Sequence, residues 1–204
     1  MAIMESKKGR RLSEKTGLRR DEILEKAARL FRKSGYAATS MRMIAAACNM
    51  EASSLYNHLS SKQDLLDELL FSVAAEFTSG MEKIESVDSH AYEKLESLVD
   101  LHIDLTLRWP NRIALVTGEW IHLEEPRLKE YLLLRNDYEN RFRKLMQEGI
   151  EKGILKKMDT ELSLYSILSS LHWLYSWTAR HPQVRPELIR RELKTSLLSG
   201  LRNF

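Results

Sequence analysis

The hydrophobic positions of this chain recur at helical spacing over nearly its whole length. Apolar residues stand three or four positions apart in one segment after another, whereas the apolar–polar alternation of β-strands is nearly absent. The stripe formed by Leu65, Leu66, Leu69, Leu70 and Val73 is one example of a face that a helix would bury. Only 8 Gly and 4 Pro interrupt the pattern. The chain is therefore predicted to be all-α.

Residues that start or stop helices divide the first part of the chain into four predicted helices. Gly35 stands where a glycine commonly closes a helix, and Asn49 is expected to adopt the left-handed conformation between two short helices. Thr39 is the expected cap of the first short helix, and the segment Ser61-Lys62-Gln63-Asp64 is a variant of the capping box. The predicted helices cover residues 18–34, 40–47, 52–58 and 62–85.

Five further helices are predicted beyond residue 86, with prolines and glycines between them. They cover residues 90–108, 111–123, 126–153, 160–180 and 186–200. No apolar run approaches the ~18 residues of a membrane span, and no signal peptide is visible. A single cysteine without CxxC spacing is typical of a reducing environment. A cytoplasmic protein without a membrane partner is expected.

Charge is unevenly distributed along the 204 residues. The net charge is +3, but residues 1–62 carry 13 Lys or Arg against 6 Asp or Glu. Residues 1–16, with the run KKGRR, are predicted to be a flexible basic arm. A basic front indicates a nucleic-acid contact at one end of the molecule. A solvated charged face with a disordered basic tail is the alternative.

Two short predicted helices joined tightly at Cys48-Asn49-Met50 are typical of a helix-turn-helix, whose second helix enters the major groove. Ile44 and Ala45 are expected to face inward, and Leu55 to fill the angle between the helices. Lys62 begins the next helix, where its charge favours a phosphate. A polar helical hairpin on the surface is the alternative. The side chains expected to face DNA from the second helix are Ser53, Ser54, Tyr56, Asn57 and His58.

Residues 19–70 carry a longer motif, namely ILEKAARLFRKSGYAATS, then IA, then SLYNHLSSKQDLL. This motif resembles the N-terminal domain of TetR-type transcriptional regulators. The resemblance implies that Thr39, Ser40 and Arg42 contact the DNA backbone from the second helix of that domain. It also implies that two domains follow the basic arm over 1–16. These are a three-helix helix-turn-helix DNA-binding domain over 17–63 and a larger helical effector-binding and dimerisation domain over 64–204.

The chain departs from the family pattern around the turn. Members usually have Ala-Gly-Val-Ser where this chain has Cys48-Asn49-Met50-Glu51. Asn can replace a left-handed Gly, whereas Glu51 is a poorer cap than Ser and places an acid near phosphates. Ser53 replaces the usual Gly, and Leu59 replaces the usual aromatic residue. These departures bear on the operator sequence.

The part of the chain beyond residue 86 carries all four tryptophans. A small-molecule pocket needs large apolar side chains together with a few polar groups. Filling of the core is the alternative role for these aromatic side chains. The HWLYSW segment at residues 172–177 has large side chains on every helix face, so part of it is expected to meet a partner. The candidate ligand-binding residues are His102, Trp120, Tyr138, Arg141 and Trp173.

The resemblance implies a homodimer formed by the last two helices, here about 160–180 and 186–201. Their apolar residues would be a liability if exposed in a monomer. Two recognition helices held about 34 Å apart read a palindrome. The segment from residue 120 to 177 is also similar to bodies of family members that respond to acyl-CoA thioesters. Arg135, Arg141 and Arg143 are then candidates for the phosphates, while another apolar or aromatic effector and no ligand remain alternatives.

Enzyme chemistry has little support in the sequence. Glu119 and His122 form one ExxH motif, but a di-metal site needs a second motif and further carboxylates. No nucleophile elbow and no Gly-rich phosphate loop occur. No metal or cofactor is expected. The sequence predicts a ligand-responsive repressor that a small apolar, aromatic or acyl-CoA effector releases from double-stranded operator DNA. A helical interaction or scaffold protein with a vestigial DNA head is the alternative.

Overall fold

The computed structural model describes residues 19–57 and 59–203. Within that range the regular structure is helical, apart from an isolated antiparallel bridge between Leu155 and Arg202. The all-α prediction is confirmed. The predicted basic arm over 1–16 and the candidate residue His58 lie outside the described residues. None of the described helices is long and apolar enough to cross a membrane.

The helix positions agree with the predicted ones except at two breaks. The predicted helix over 111–123 ends at Gly118 and continues as a 3₁₀ turn, and the predicted helix over 160–180 is interrupted at Trp173. In chain order the helices are α1 (19–34), α2 (Met41–Ala47), α3 (Ala52–Tyr56), α4 (Lys62–Ser86), α5 (Ala91–Arg108), α6 (Pro110–Gly118), a 3₁₀ turn (Glu119–His122), α7 (Arg127–Glu151), α8 (Thr160–His172), α9 (Leu174–Arg180), α10 (Pro186–Leu198) and a second 3₁₀ turn (Ser199–Leu201).

Local signals at the helix ends act as predicted in three places. Gly35 follows α1 with φ +81° and Asn49 follows α2 with φ +53°, so both adopt the left-handed conformation that reverses the chain. At the start of α4 the Ser61 hydroxyl accepts a hydrogen bond of 2.9 Å from the Asp64 amide.

The predicted cap of α2 is wrong by one residue. Ser40, rather than Thr39, is the N-cap, and its hydroxyl accepts from the Met43 amide at 3.3 Å. Thr39 is buried, and its hydroxyl donates to the Gly35 carbonyl at 2.9 Å. Thr39 therefore stabilises the turn between α1 and α2, because its hydroxyl satisfies a carbonyl left without a partner at the end of α1.

The first three helices and the start of α4 are called the head, and the rest of the chain is called the body. The head shares one hydrophobic core with part of the body. The predicted boundary between residues 63 and 64 falls in the first turn of α4. Leu65, Leu66, Leu69 and Leu70 of α4 lie in the same cluster as the buried residues of α1, α2 and α3. Leu115, Leu123 and Tyr131 of the body also belong to that cluster. Movement of the body helices therefore perturbs packing within the head.

The body packs α5 and α7 against α4, and α10 against α5. Gly80 allows α4 and α5 to approach closely, since a Cβ at this position would lie 2.5 Å from a Leu101 methyl carbon. Arg190 of α10 forms ion pairs with Asp100 and Asp104 of α5. These contacts fix α10 against the bundle and leave its opposite side outward.

Candidate DNA-reading surface and effector cavity

Helices α2 and α3 are held together by a small apolar contact and a tight turn. Ile44, Ala45 and Leu55 are buried, as predicted for the inward faces of the pair. The Met50 amide donates to the Ala45 carbonyl at 2.9 Å, which closes the turn. The angle between the two helices is therefore fixed locally.

The outward side of this pair presents polar side chains to solvent, and we call it the reading surface. Tyr56 is 53% exposed. Arg42 is exposed and has no hydrogen bond or ion pair within the part of the chain that the structure describes. Its guanidinium is available to a phosphate. The exposed candidate residues of this surface are Ser40, Arg42, Ser53, Tyr56 and Asn57, while Ser54 is half-buried.

Glu51 precedes α3 and provides no cap. Its carboxylate makes no hydrogen bond to the first turn of α3, in agreement with the sequence-based expectation. Glu51 is exposed beside Ser53, so it places a negative charge next to the reading surface. This carboxylate repels an approaching phosphate. It can, however, accept a hydrogen bond from an amino group on the edge of a base.

Two of the predicted DNA contacts are turned inward instead. Lys62 donates from Nζ to the carbonyls of Tyr36 and Thr39, both at 3.0 Å, and its Nζ lies 4.2 Å from the centroid of the Tyr36 ring. The hydroxyl of Thr39 is bonded to Gly35, as described above. Both side chains stabilise the turn between α1 and α2, so the structure does not hold them ready for a phosphate.

The turn between α1 and α2 is also the point where the 3₁₀ turn of the body contacts the head. The Tyr36 amide donates to Glu119 Oε2 at 3.2 Å, and the rings of Tyr36 and His122 stack with centroids 5.2 Å apart. His122 Nε2 lies 3.4 Å from Glu119 Oε2. The ExxH residues are therefore engaged in a head–body contact. In residues 19–57 and 59–203 no group of three His, Cys, Asp or Glu side chains is placed to hold a metal ion.

Helix α6 makes a second contact with the head, along α1. Asn111 Nδ2 donates to Glu25 at 2.6 Å, and Asn111 Oδ1 accepts from Arg32 at 3.1 Å. Arg112 is 6% exposed, and its Nε has no hydrogen-bond partner among residues 19–57 and 59–203, although Glu25 lies 3.7 Å away. A small displacement of α1 against α6 would change these polar contacts, which makes them sensitive to the orientation of the head.

The body contains a cavity of about 100 Å³, called the inner chamber, between α4, α5, α6, α7 and α8. Val116 and Thr117 of α6 line it, so the helix that contacts α1 also forms a cavity wall. The structure places two of the candidate ligand-binding residues in its wall, His102 and Tyr138. The other lining residues are Val73, Ala74, Phe77, Thr78, Tyr131, Leu134, Arg135, Glu139, Leu168 and His172.

The polar groups deepest in this chamber are neutral. His102 Nε2 and the Tyr138 hydroxyl are 3.0 Å apart. Burial and, to a smaller extent, the nearby His172 lower the pKa of His102 to about 3. Burial raises the pKa of the Tyr138 hydroxyl well above its ordinary value. Burial, together with Arg135, also lowers the pKa of His172. At neutral pH the chamber therefore offers hydrogen bonds without a charge at its inner end.

A more polar outer chamber of about 120 Å³ adjoins the inner one. Arg135, Glu139 and His172 line both chambers. Arg135 and Glu139 are paired at 3.0 Å, and Arg143 lies 3.5 Å from Glu139. Arg135 thus brings a guanidinium group to the outer chamber, beside the carboxylates of Glu139 and Glu161.

Three of the candidate ligand-binding residues lie outside both chambers. Trp120 packs against the shared head–body core, and the guanidinium carbon of Arg135 lies 5.5 Å from its ring centroid. Arg141 is bonded to Glu85 of α4. Trp173 is 67% exposed. Helical spacing identified these side chains as large or charged, but the direction in which each one points is decided by the packing of helices far apart in sequence.

Two family models match the chain. Residues 23–69 match the model for bacterial regulatory proteins of the tetR family, and residues 88–201 match the tetracyclin repressor-like C-terminal domain. The second match covers more than half of the 204 residues. The chain belongs to the TetR family of transcriptional regulators. It is thus a DNA-binding regulator of transcription, as the motif in residues 19–70 implied.

Individual TetR-family relatives align over nearly the full chain. The HTH-type transcriptional repressor KstR2 of Rhodococcus jostii (strain RHA1) is 27% identical over 186 residues, which are 90% of this chain and 91% of KstR2. The solved structure of the ketosteroid transcriptional regulator KstR2 of Mycobacterium tuberculosis superposes with a TM-score of 0.82 at 23% identity, covering 91% of this chain and 96% of that one. AibR in complex with isovaleryl coenzyme A and operator DNA superposes with a TM-score of 0.76 at 24% identity, covering 90% and 99%.

The outward side of α8, α9 and α10 is apolar. TetR-family regulators act as dimers, and this chain presents there a groove of about 530 Å³ lined by residues of these helices, among them Trp173, Trp177 and Leu188. A surface of this kind is typical of a protein interface. The exposed apolar side chains of the three helices are Leu162 at 67%, Tyr165 at 72%, Trp173 at 67%, Trp177 at 38% and Leu188 at 40%.

Proposed function

We propose that this chain is a homodimeric repressor that reads a palindromic operator with α3 and releases it when a small effector occupies the body. The observation that carries the proposal is the combination of two features. The reading surface exposes Arg42, Ser53, Tyr56 and Asn57 to solvent. The head that presents them shares one hydrophobic core with helices next to the cavity.

Dimerisation supplies the specificity that one short helix lacks. Five residues of α3 can contact only a few base pairs, whereas two copies about 34 Å apart read two half-sites together. The exposed apolar side of α8 to α10 supports an interface between two copies of this chain. Pairing of that side would remove Trp173 and Leu188 from water, which stabilises a dimer at about 25 cal/mol for each Å² of apolar surface.

The effector is proposed to be a small apolar, aromatic or acyl-CoA molecule. The inner chamber suits an apolar group, while Arg135 and Arg143 beside the outer chamber suit phosphates or another anion. An anion would have to replace Glu139 as their present partner. Arg141, also considered for this role, is paired with Glu85 and lies outside both chambers. AibR, which shares the fold, was solved with isovaleryl coenzyme A, so this architecture can accommodate an acyl-CoA thioester.

Release of DNA follows from differential affinity. An effector lowers operator affinity only if it binds more tightly to the conformation whose two reading helices are wrongly spaced. Helix α6 has the contacts needed for such coupling, since Val116 and Thr117 line the chamber and Asn111 is bonded to α1. Glu119, just beyond α6, holds the turn that precedes α2.

The test is fluorescence anisotropy with labelled DNA taken from beside the gene that encodes this chain. We expect specific binding at about 100 mM salt and a steep decline of affinity as salt rises, because phosphate contacts release counterions. A panel of acyl-CoA thioesters, aromatic acids and their neutral esters is then added. Release by at least one compound supports the proposal. Absence of any specific binding would instead favour an interaction protein with a vestigial head.

A further inference from the structure

The inner chamber combines an apolar wall with a small set of neutral polar groups. Val73, Phe77 and Val116 are among its apolar residues. His102 and Tyr138 are buried at 4% and 9% exposure and face the same space. No hydrogen bond to the second nitrogen of His102 is found among the described residues. This nitrogen is therefore available to a molecule that enters the chamber.

The His102–Tyr138 pair can serve either as donor or as acceptor. When the Tyr138 hydroxyl donates to Nε2, its oxygen accepts from a ligand hydroxyl, and the His102 Nδ1–H is a further donor. When Nε2–H donates to the Tyr138 oxygen, the phenolic hydrogen is available for a ligand carbonyl. Change of tautomer therefore adapts the pair to a carbonyl or to an alcohol without any change of charge.

A ligand carboxylate does not fit at this depth. Burial keeps His102 and His172 neutral by lowering their pKa values, so neither supplies a positive charge to the chamber. Arg135 also lines the chamber, but its guanidinium is already paired with Glu139 at 3.0 Å. An ionised group placed beside the two histidines would lose its water without gaining a counter-charge, which costs several kcal/mol.

The size of the chamber limits what it holds. Its volume is about 100 Å³, and a cavity of about 150 Å³ is known to accommodate one benzene. Because the chamber is smaller than that cavity, a group of at most about six heavy atoms fits it. A fused ring system or a long acyl chain would require displacement of α6 or α7, whose residues Val116 and Leu134 form part of the wall.

We propose that the inner chamber binds a compact apolar group of about six heavy atoms that carries one neutral oxygen, a carbonyl or a hydroxyl, hydrogen-bonded to His102 and Tyr138. The remainder of the effector, including any charge, extends past Arg135 into the outer chamber. This assignment rests on the proposed function only for the regulatory consequence of binding. The binding preference itself is a property of the chamber.

Four related probes test the preference, namely cyclopentanone, cyclopentanol, cyclopentane and cyclopentanecarboxylate. Binding to the full chain at pH 7 is followed by NMR shifts of the Val73 and Val116 methyl groups, which line the chamber. The ketone and the alcohol are expected to bind at least about tenfold more tightly than the carboxylate. Equal affinity for the ketone and the carboxylate would overturn the assignment.

Tyr138→Phe isolates the hydrogen bond because it removes one oxygen and keeps the ring. We expect it to weaken binding of the ketone about five- to tenfold and to change cyclopentane binding less than about twofold. Tyr165→Phe is the matched control, since Tyr165 lines only the outer chamber; it should leave all four probes unaffected. The assignment fails if Tyr138→Phe weakens ketone and cyclopentane equally.

Operator binding, measured in parallel, separates this inference from the proposed function. If the ketone binds with the stated Tyr138 dependence but the chain binds no operator, the chamber assignment stands and the regulatory proposal fails. If the chain binds operator but none of the neutral probes enters the chamber, the assignment is overturned and DNA recognition stands. Thermal unfolding of Tyr138→Phe is measured first to check that this variant folds. If it does not fold, His102→Asn, which keeps a neutral polar group, takes its place in the binding test.

Discussion

The reading surface and the inner chamber use polar side chains under opposite conditions. On the reading surface, Arg42 and Tyr56 are exposed and remain hydrated until DNA arrives. In the chamber, His102 and Tyr138 are buried, so their desolvation is already included in the stability of the fold. Changes on the reading surface should therefore alter binding without altering stability, whereas changes in the chamber should alter both.

The largest expected effect tests whether the reading surface of a single copy is sufficient to bind the operator. Trp173→Glu places a charge on the exposed side of α8 to α10 and should prevent dimerisation, because an unpaired charge would be buried between the two copies. Operator affinity should then fall by at least about a hundredfold, since a single head reads only one half-site. Light scattering and anisotropy give the two measurements.

Leu133→Glu is the matched control for this variant. Leu133 is 60% exposed but lies on α7, outside the α8 to α10 surface. It should leave both the oligomeric state and operator affinity unchanged. A Trp173→Glu monomer that bound operator as tightly as wild type would contradict the dimeric proposal.

Arg42→Ala should produce the next largest effect, confined to DNA binding. Loss of one phosphate contact in each half-site should reduce affinity roughly tenfold to a hundredfold and lower the salt slope by about 2. The melting temperature should stay within about 1 °C because Arg42 is exposed. Lys129→Ala removes the same charge from an exposed position on α7 and should change neither quantity.

Burial of His102 in the chamber should make the free energy of unfolding depend on pH. His102 has a pKa of about 3 in the folded chain against an ordinary value of 6.5, so only the unfolded chain binds a proton between these values. Stability is then lost as pH falls, by about 1.4 kcal/mol per pH unit and about 2 kcal/mol by pH 5. Denaturant unfolding of wild type and His102→Phe should show this difference in slope; parallel pH profiles would contradict it.

Lys62 lies beside the reading surface, but its ammonium group donates hydrogen bonds to carbonyls of the head. A change at Lys62 should therefore affect both stability and DNA binding. Lys62→Met keeps the aliphatic stem on the Tyr36 ring and removes the donor to two carbonyls. We expect a loss of about 1–2 kcal/mol in the free energy of unfolding together with weaker operator binding. An effect on DNA binding alone, with unchanged denaturant midpoint, would show that Lys62 acts as a phosphate contact instead.

The smallest expected effect concerns the Tyr36–Glu119 hydrogen bond between the head and the body. Glu119→Ala removes the acceptor of the Tyr36 amide, so exchange of that amide should quicken by about tenfold. The Gly35 amide, bonded to the Phe31 carbonyl, is the internal control and should change less than about twofold. Equal acceleration of both amides would indicate general loosening of the turn.

Local features of the structure were predictable from sequence, and contacts between distant segments were not. Helix positions, the left-handed Gly35 and Asn49, and the inward Leu55 follow from spacing and backbone preference. The Tyr36–Glu119 contact joins residues 83 positions apart. No helical period determines which residue of the body meets that turn, because the pairing depends on how α6 crosses α1.

The same limit explains why some candidate ligand residues lie outside the two chambers. Trp173 lies at the break between α8 and α9, where no proline or glycine marks the end of the helix. The sequence therefore contains no indication that its side chain is exposed. His102 and Tyr138 meet in the chamber although they stand 36 positions apart. Aromatic composition identified them as candidates, but their pairing depends on the packing of α5 against α7.

The common core of head and body restricts how a new DNA specificity can be engineered into this protein. A chimera joined at residue 63 would bring foreign helices against Leu115, Leu123 and Tyr131, whose side chains are fitted to α1 and α4. A grafted head would then pack poorly against the body, and its response to an effector would be altered. Exchange of single solvent-facing side chains on α2 and α3 leaves the packing between head and body intact.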